Sequence, residues 1–188
     1  MPFAHKSHKP RAFLNEAGLY DFAVKALGRH MRTEAELRRL MRPRVEPGDA
    51  GESSISAVIA RLKEQRYLDD AAFAETFARL RQENEKLGAR IVRQKLQQKG
   101  ISARIVNETV DARYAGTNEE TLARQYLDRK RITKPADEKE TARVMRRLVA
   151  AGFSTGVIYK ILRQWNVPDE ALAALDNLPD DASHSPTD

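Results

Sequence analysis

The chain has 188 residues, 41% apolar and 32% charged, with a formal net charge of +6 and no cysteine. Without cysteine there are no disulfides and no thiolate metal sites, which fits a reducing, cytoplasmic setting. No apolar run approaches the ~18 residues that a membrane span needs, and the basic start MPFAHKSHKPRAF lacks the apolar core of a secretory signal, so no membrane partner is expected.

The charge is unevenly spread. Residues 169–188 carry six acids and no Lys or Arg, which leaves 33 bases against 21 acids on residues 1–168, a net of +12. So basic a body suits phosphate backbones or an acidic protein surface as partner. The acidic segment, with Pro179 and Pro186 opposing a continuous helix, is expected to be a disordered tail that screens the body.

Residues 1–12 read as a flexible basic N-terminus. A first helix is expected from about Leu14 to His30, with Tyr20, Ala23, Val24 and Leu27 toward one side. A second follows a capping box, Thr33 with Glu36 three residues on, and buries Leu37, Leu40 and Met41. The stretch 42–53, RPRVEPGDAGES, reads as a long loop, and a third helix is expected from Ser56. Asp69 or Asp70 then caps a helix whose stripe is Phe73, Ala74, Phe77 and Leu80. A further helix from near Gly88 carries Ile91, Val92 and Leu96 inward, and Gly100 closes it in a left-handed C-cap. Tyr67 and Trp165 are expected to pack into the core.

These segments repeat. FAVKAL at Phe22, FAETFA at Phe73 and LARQYL at Leu122 align, as do the pairs Leu37/Met41, Val92/Leu96 and Val144/Leu148. ISA at Ile55, ISA at Ile101 and FST at Phe153 align too, each with a Ser placed to cap a helix. Staples from Ile101 to Val106 and from Phe153 to Ile158 are expected. The chain therefore divides into three-helix repeats at 13–66, 67–115 and 116–167, followed by the tail at 168–188. A unit of roughly 50 residues is marginal alone and gains by stacking on the next. The expected fold is all-α: three tandem three-helix repeats in an elongated, curved, right-handed helical array.

No catalytic or cofactor chemistry is legible. There is neither GxxxxGK[ST] nor GxGxxG, and the His5–His8 pair has no third ligand near it. Asp69–Asp70 is better explained by capping than as a carboxylate dyad. An enzyme is not expected, nor any cofactor or metal. The candidate binding residues are cations: Arg90, Arg93 and Lys95, their counterparts Arg143, Arg146 and Arg147, and Arg38 and Arg39 in the first repeat. Arg79, Arg81, Lys86 and Lys99 add to the same charge.

The stretches YLDDAAFAETFARLR and GARIVRQKLQQKGIS, with RTEAELRRLM and RRLVAAGFSTGVIYKIL, resemble the RecX family of regulators of the bacterial recombinase RecA. The resemblance covers most of residues 20–165. It implies a protein that lies in a groove of the RecA–single-stranded-DNA filament. It also implies inhibition of filament growth and of ATP hydrolysis, strand exchange and coprotease activity, and so a part in DNA repair and the SOS response. The RecA filament is the expected partner, with single-stranded DNA as a second, and the chain is expected to be monomeric. The alternatives are a basic nucleic-acid adaptor that acts without RecA, and a structural scaffold.

Overall fold

A computed structural model describes residues 12–167, and within them every regular element is helical. The N-terminal segment 1–11 and the tail 168–188 lie outside the described residues, so the expectations of a flexible start and a disordered, screening tail are not addressed. In chain order the helices are α1 Glu16–Leu27, α2 Glu34–Met41, α3 Asp49–Glu64, α4 Asp70–Glu85, α5 Ala89–Gln98, α6 Ala103–Tyr114, α7 Glu119–Arg129, α8 Glu138–Ala150 and α9 Thr155–Gln164, with a 3-10 turn at Arg42–Arg44. They belong to two compact units. One takes the described part of 1–77 with Lys95–Thr109, the other Ala78–Gln94 with the described part of 110–188; α4, α5 and α6 each contribute residues to both.

In the first unit, α1 begins where Asn15 accepts a hydrogen bond from the Gly18 N–H at 2.9 Å. It is shorter than the Leu14–His30 expectation. Its fully buried residues are Leu19 and Ala23, with Tyr20, Val24 and Leu27 only partly covered. The Thr33–Glu36 capping box forms as the spacing predicts, and Leu37 and Met41 are fully buried.

The 42–53 segment corrects the sequence reading. Its prolines and glycines do not make one long loop: Pro43 sits in the 3-10 turn, and α3 begins seven residues before Ser56, at Asp49. Gly48, at φ 113, makes the entry, and acidic Asp49 and Glu52 suit the first turn of a helix. Ile55 and Ser56 therefore lie within α3, with Ile55 fully buried, and do not open it. Tyr67 is 60% exposed, and Leu80, placed on the inward stripe by its spacing, is 41% exposed while Ala78 is fully buried.

In the second unit, Asn118 caps α7 by accepting the Thr121 N–H, and Asp137 caps α8 by accepting that of Glu140. Ile158, Ile161 and Leu162 of α9 are fully buried, each contributing about 1.5–3 kcal/mol of apolar burial. The Tyr126 and Phe153 rings meet edge to face at 5.8 Å. Both staple pairs, Ile101/Val106 and Phe153/Ile158, are buried.

Each unit contains one close helix-end junction, and the two are built alike. In the first, the C-terminus of α5 meets the first turn of α2. Gly100, at φ +82, faces Ala35, and a Cβ there would collide with the Ala35 methyl. In the second, the C-terminus of α8 meets the first turn of α5. Gly152, at φ +90, would place a Cβ 2.7 Å from Ile91 Cγ2, and a Cβ on Gly88 would fall 2.6 Å from the Gly152 carbonyl carbon. Both C-termini close with the same paired bonds: Gly100 N–H to Gln97 and Ile101 N–H to Leu96, then Gly152 N–H to Val149 and Phe153 N–H to Leu148. Positive φ alone does not demand glycine, because Arg66, Arg131 and Asn166 adopt it at other helix ends. Close approach is what demands it at these two positions.

Candidate functional site

The twelve candidate cations fall into two groups. Six are engaged within the protein. Arg38 pairs with Glu34 at 2.8 Å and donates to the Ser56 hydroxyl at 3.2 Å. Arg79 reaches Glu83 at 3.4 Å, Arg81 pairs with Glu85, and Arg93 pairs with Asp111 at 2.6 Å. Arg90 donates to the Val149 carbonyl at the C-terminus of α8, the end of a helix that favours a cation. Lys99 pairs with Glu36 at 2.7 Å and lies over the stacked Phe73 and Phe77 rings at 5.3 and 5.8 Å.

The other six, Arg39, Lys86, Lys95, Arg143, Arg146 and Arg147, make no ion pair among the described residues. Three of them share the outward face of α8, where Arg143, Arg146 and Arg147 are all exposed. Sequence reasoning missed Lys139, which is also exposed and extends this row one turn toward the N-terminus. Lys139, Arg143 and Arg147 recur at four-residue steps, about 6 Å apart along the helix axis. The inward face of α8 buries Thr141, Val144 and Leu148, so the row is fixed by the packing beneath it. Tyr126 shows that this face is close to charge: burial pushes its hydroxyl pKa up while the Arg147 charge acts against the rise.

A second feature is an open cleft of about 790 Å³ in the first unit. It is lined by the starts of α2, α4 and α6, the end of α3 and the side chains of Arg38, Lys63 and Arg66. Glu34 takes both Arg38 and Lys63. Burial pushes the Glu34 carboxyl up, but the hydrogen bonds from Lys63 and Arg38 outweigh it and hold the group below the usual carboxylate value. Glu36 behaves the same way: burial raises it, and Lys99 with the Thr33 N–H brings it lower overall. Asp70 goes the other way. Burial raises it, as does the charge of Glu34, against the hydrogen bond it accepts from the Glu34 N–H at 2.9 Å. Asp69 caps α4, accepting from Ala71 and Ala72.

The serines expected to cap helices do something else. Ser154 accepts no cap bond; its N–H and its hydroxyl both donate to Glu119, each at 2.7 Å. A carboxylate is the stronger acceptor, so the serine turns toward it. No cluster of His, Asp or Glu with metal-binding geometry occurs among the described residues, and no helix there is long and apolar enough to cross a membrane.

Fold and surface together define the class: an all-helical protein built from recurring helix junctions, with cations displayed along one surface helix. A family model described as "RecX, second three-helix domain" matches residues 69–110. Regulatory protein RecX of Thermobifida fusca is 32% identical over 144 residues, covering 75% of each chain. That of Leptothrix cholodnii is 33% identical over 141 residues, covering 75% of this chain and 85% of the relative. The chain belongs to the RecX family of regulatory proteins. The Oceanobacillus iheyensis relative is 24% identical over 80% of this chain, which spans only 54% of that relative's length. Two crystal structures share the fold. One of regulatory protein RecX has a TM-score of 0.64 at 23% identity, covering 79% of this chain and 71% of that one. RecX from Lactobacillus salivarius has a TM-score of 0.59 at 20% identity, covering 87% and 97%.

Proposed function

We propose that this chain binds the RecA–single-stranded-DNA filament and restrains its growth, and with it RecA's ATPase, recombinase and coprotease activities. Membership of the RecX family carries the reading, and the exposed α8 row supports a polyanionic or acidic partner surface. In this reading the chain acts as a cytoplasmic monomer without catalysis or cofactor. Its three helical triplets, 13–66, 67–115 and 116–167, serve as successive contact units. Several modest patches on one chain raise each other's effective concentration, so binding is distributed and no single pocket dominates.

The test is RecA ATPase on single-stranded DNA at substoichiometric amounts of this protein, wild type against R143E/R146E/R147E. Inhibition should weaken strongly in the folded triple variant. Undiminished inhibition at physiological salt removes the α8 row from the interface, and absence of inhibition by wild type defeats the reading itself. A second reading, a nucleic-acid adaptor acting without RecA, draws on the same row. It predicts binding to bare single strands with a steep fall of log affinity against log salt.

A further inference from the structure

We infer that the cleft of the first unit receives an acidic side chain of a protein partner, bound through the N–H and hydroxyl of Ser102 and flanked by Arg66. The internal repeat supplies the argument. When Phe73 is set against Leu122, Asp70 falls opposite Glu119; when Gly100 is set against Gly152, Ser102 falls opposite Ser154. At the second of these places the Glu119 carboxylate sits on Ser154, accepting its N–H and its hydroxyl. The same chain thus shows what a Gly–apolar–Ser helix entry holds when it is filled: a carboxylate.

At Ser102 no carboxylate of the described residues takes that place. Asp70 is one methylene shorter than Glu119, and it is committed elsewhere, accepting the Glu34 N–H at the start of α2. Neither the N–H nor the hydroxyl of Ser102 has a partner among the described residues, and both belong to an exposed residue lining the open cleft. The other charges on the wall are already committed. Arg38 and Lys63 hold Glu34, and Asp69 caps α4. Among the described residues Arg66 alone of the lining cations has no ion pair, and its left-handed backbone, φ 58, fixes the chain beside the cleft. Apolar Ala35, Leu68 and Ile105 line the cleft as well, which suits the methylenes of a Glu side chain better than a bare ion.

The inference concerns the first unit and rests neither on the identity of the partner nor on the α8 row. Its test uses the isotope-labelled full chain and deca-glutamate, followed by amide chemical shifts, with deca-lysine as the opposite-charge arm. Deca-glutamate should shift the Ser102 amide saturably and leave Ser154 unmoved, because Glu119 fills that place. In E119A the Ser154 amide should begin to respond. In R66N, where Asn tolerates the left-handed backbone, the Ser102 response should become roughly threefold to fivefold weaker. A silent Ser102, shifts confined to the α8 row, a response to deca-lysine instead, or an unresponsive Ser154 in E119A would each overturn it. Neither RecA nor DNA is present in the titration, so its failure is distinct from failure of the proposed function.

Discussion

The two helix-end junctions solve one problem with different chemistry. In both, the carbonyl that caps the outgoing helix accepts a hydrogen bond from the residue that caps the receiving one. In the first unit the Thr33 hydroxyl donates to the Lys99 carbonyl at 2.7 Å. In the second the Gly88 backbone N–H donates to the Ala151 carbonyl at 2.9 Å. A cation then reinforces each: Lys99 on Glu36 in one, Arg90 on the Val149 carbonyl in the other. Both junctions need glycine at their close approach, but the bond across the first comes from a side chain that substitution can edit, whereas the bond across the second is backbone to backbone. The comparison separates what sequence can vary from what it must keep.

The largest effect should come from filling the backbone junction. G152A adds a methyl against Ile91 in a left-handed conformation and should cost about 3 kcal/mol. The thermal midpoint should fall by roughly 6–12 °C. Gly116 provides the control, since it has φ +71 with nothing within 4 Å of its missing Cβ. G116A should cost only about 1 kcal/mol, so equal losses in the two variants would show that close approach contributes nothing.

Next comes the side-chain junction. T33V keeps the shape but removes the donor to Lys99 and the cap acceptor for the Glu36 N–H. It should cost about 2 kcal/mol in urea unfolding, with T33S recovering most of it.

Acid should also distinguish the junctions. Glu34 and Glu36 are held below their ordinary value of 4.5 in the folded state, so their contribution is complete above that value and disappears as pH falls through their folded values. Asp70 is raised, so its ionised form is penalised by folding, and its protonation offsets part of that loss. Hydrogen exchange should therefore show the α2–α5 junction loosening below about pH 4.5, ahead of the Gly88–Gly152 junction, which has no carboxylate in its bonding. E36Q should flatten that difference.

The smallest effect on stability belongs to charges that no junction uses. R146E/R147E should change unfolding by less than about 0.5 kcal/mol, while R90E should cost more, because it removes the donor to Val149. Loss of RecA inhibition in R146E/R147E without loss of stability would assign the α8 row to binding. Equal stability of R90E would show that the Arg90 contact does not support its junction.

Local chemistry made much of this readable from sequence: the capping box at Thr33–Glu36, the helical stripes and the left-handed close at Gly100 depend on neighbours within a few residues, whereas the demand for glycine at 100 and 152 comes from Ala35 and Ile91, far away in the chain. The α3 start was misread because Pro43, Gly48 and Gly51 resemble a loop in composition. Packing instead puts Pro43 in a 3-10 turn, Gly48 at the entry to α3 and Gly51 within α3, where a Glu46 carbonyl lies so close that no Cβ would fit. The cleft was not legible either, since Asp70, Arg66 and Ser102 are far apart in the chain and each has an ordinary local role.

By itself the sequence determined the all-helical class, the repeat and the resemblance to RecX, because period and caps act over a turn or two. Only the tertiary structure decided which cations remain available. Arg90 and Arg146 are alike as letters on a helix's polar face. One is consumed by a carbonyl 59 residues away, and the other faces open solvent. Charge is a property of the residue, but its availability depends on what the fold brings beside it.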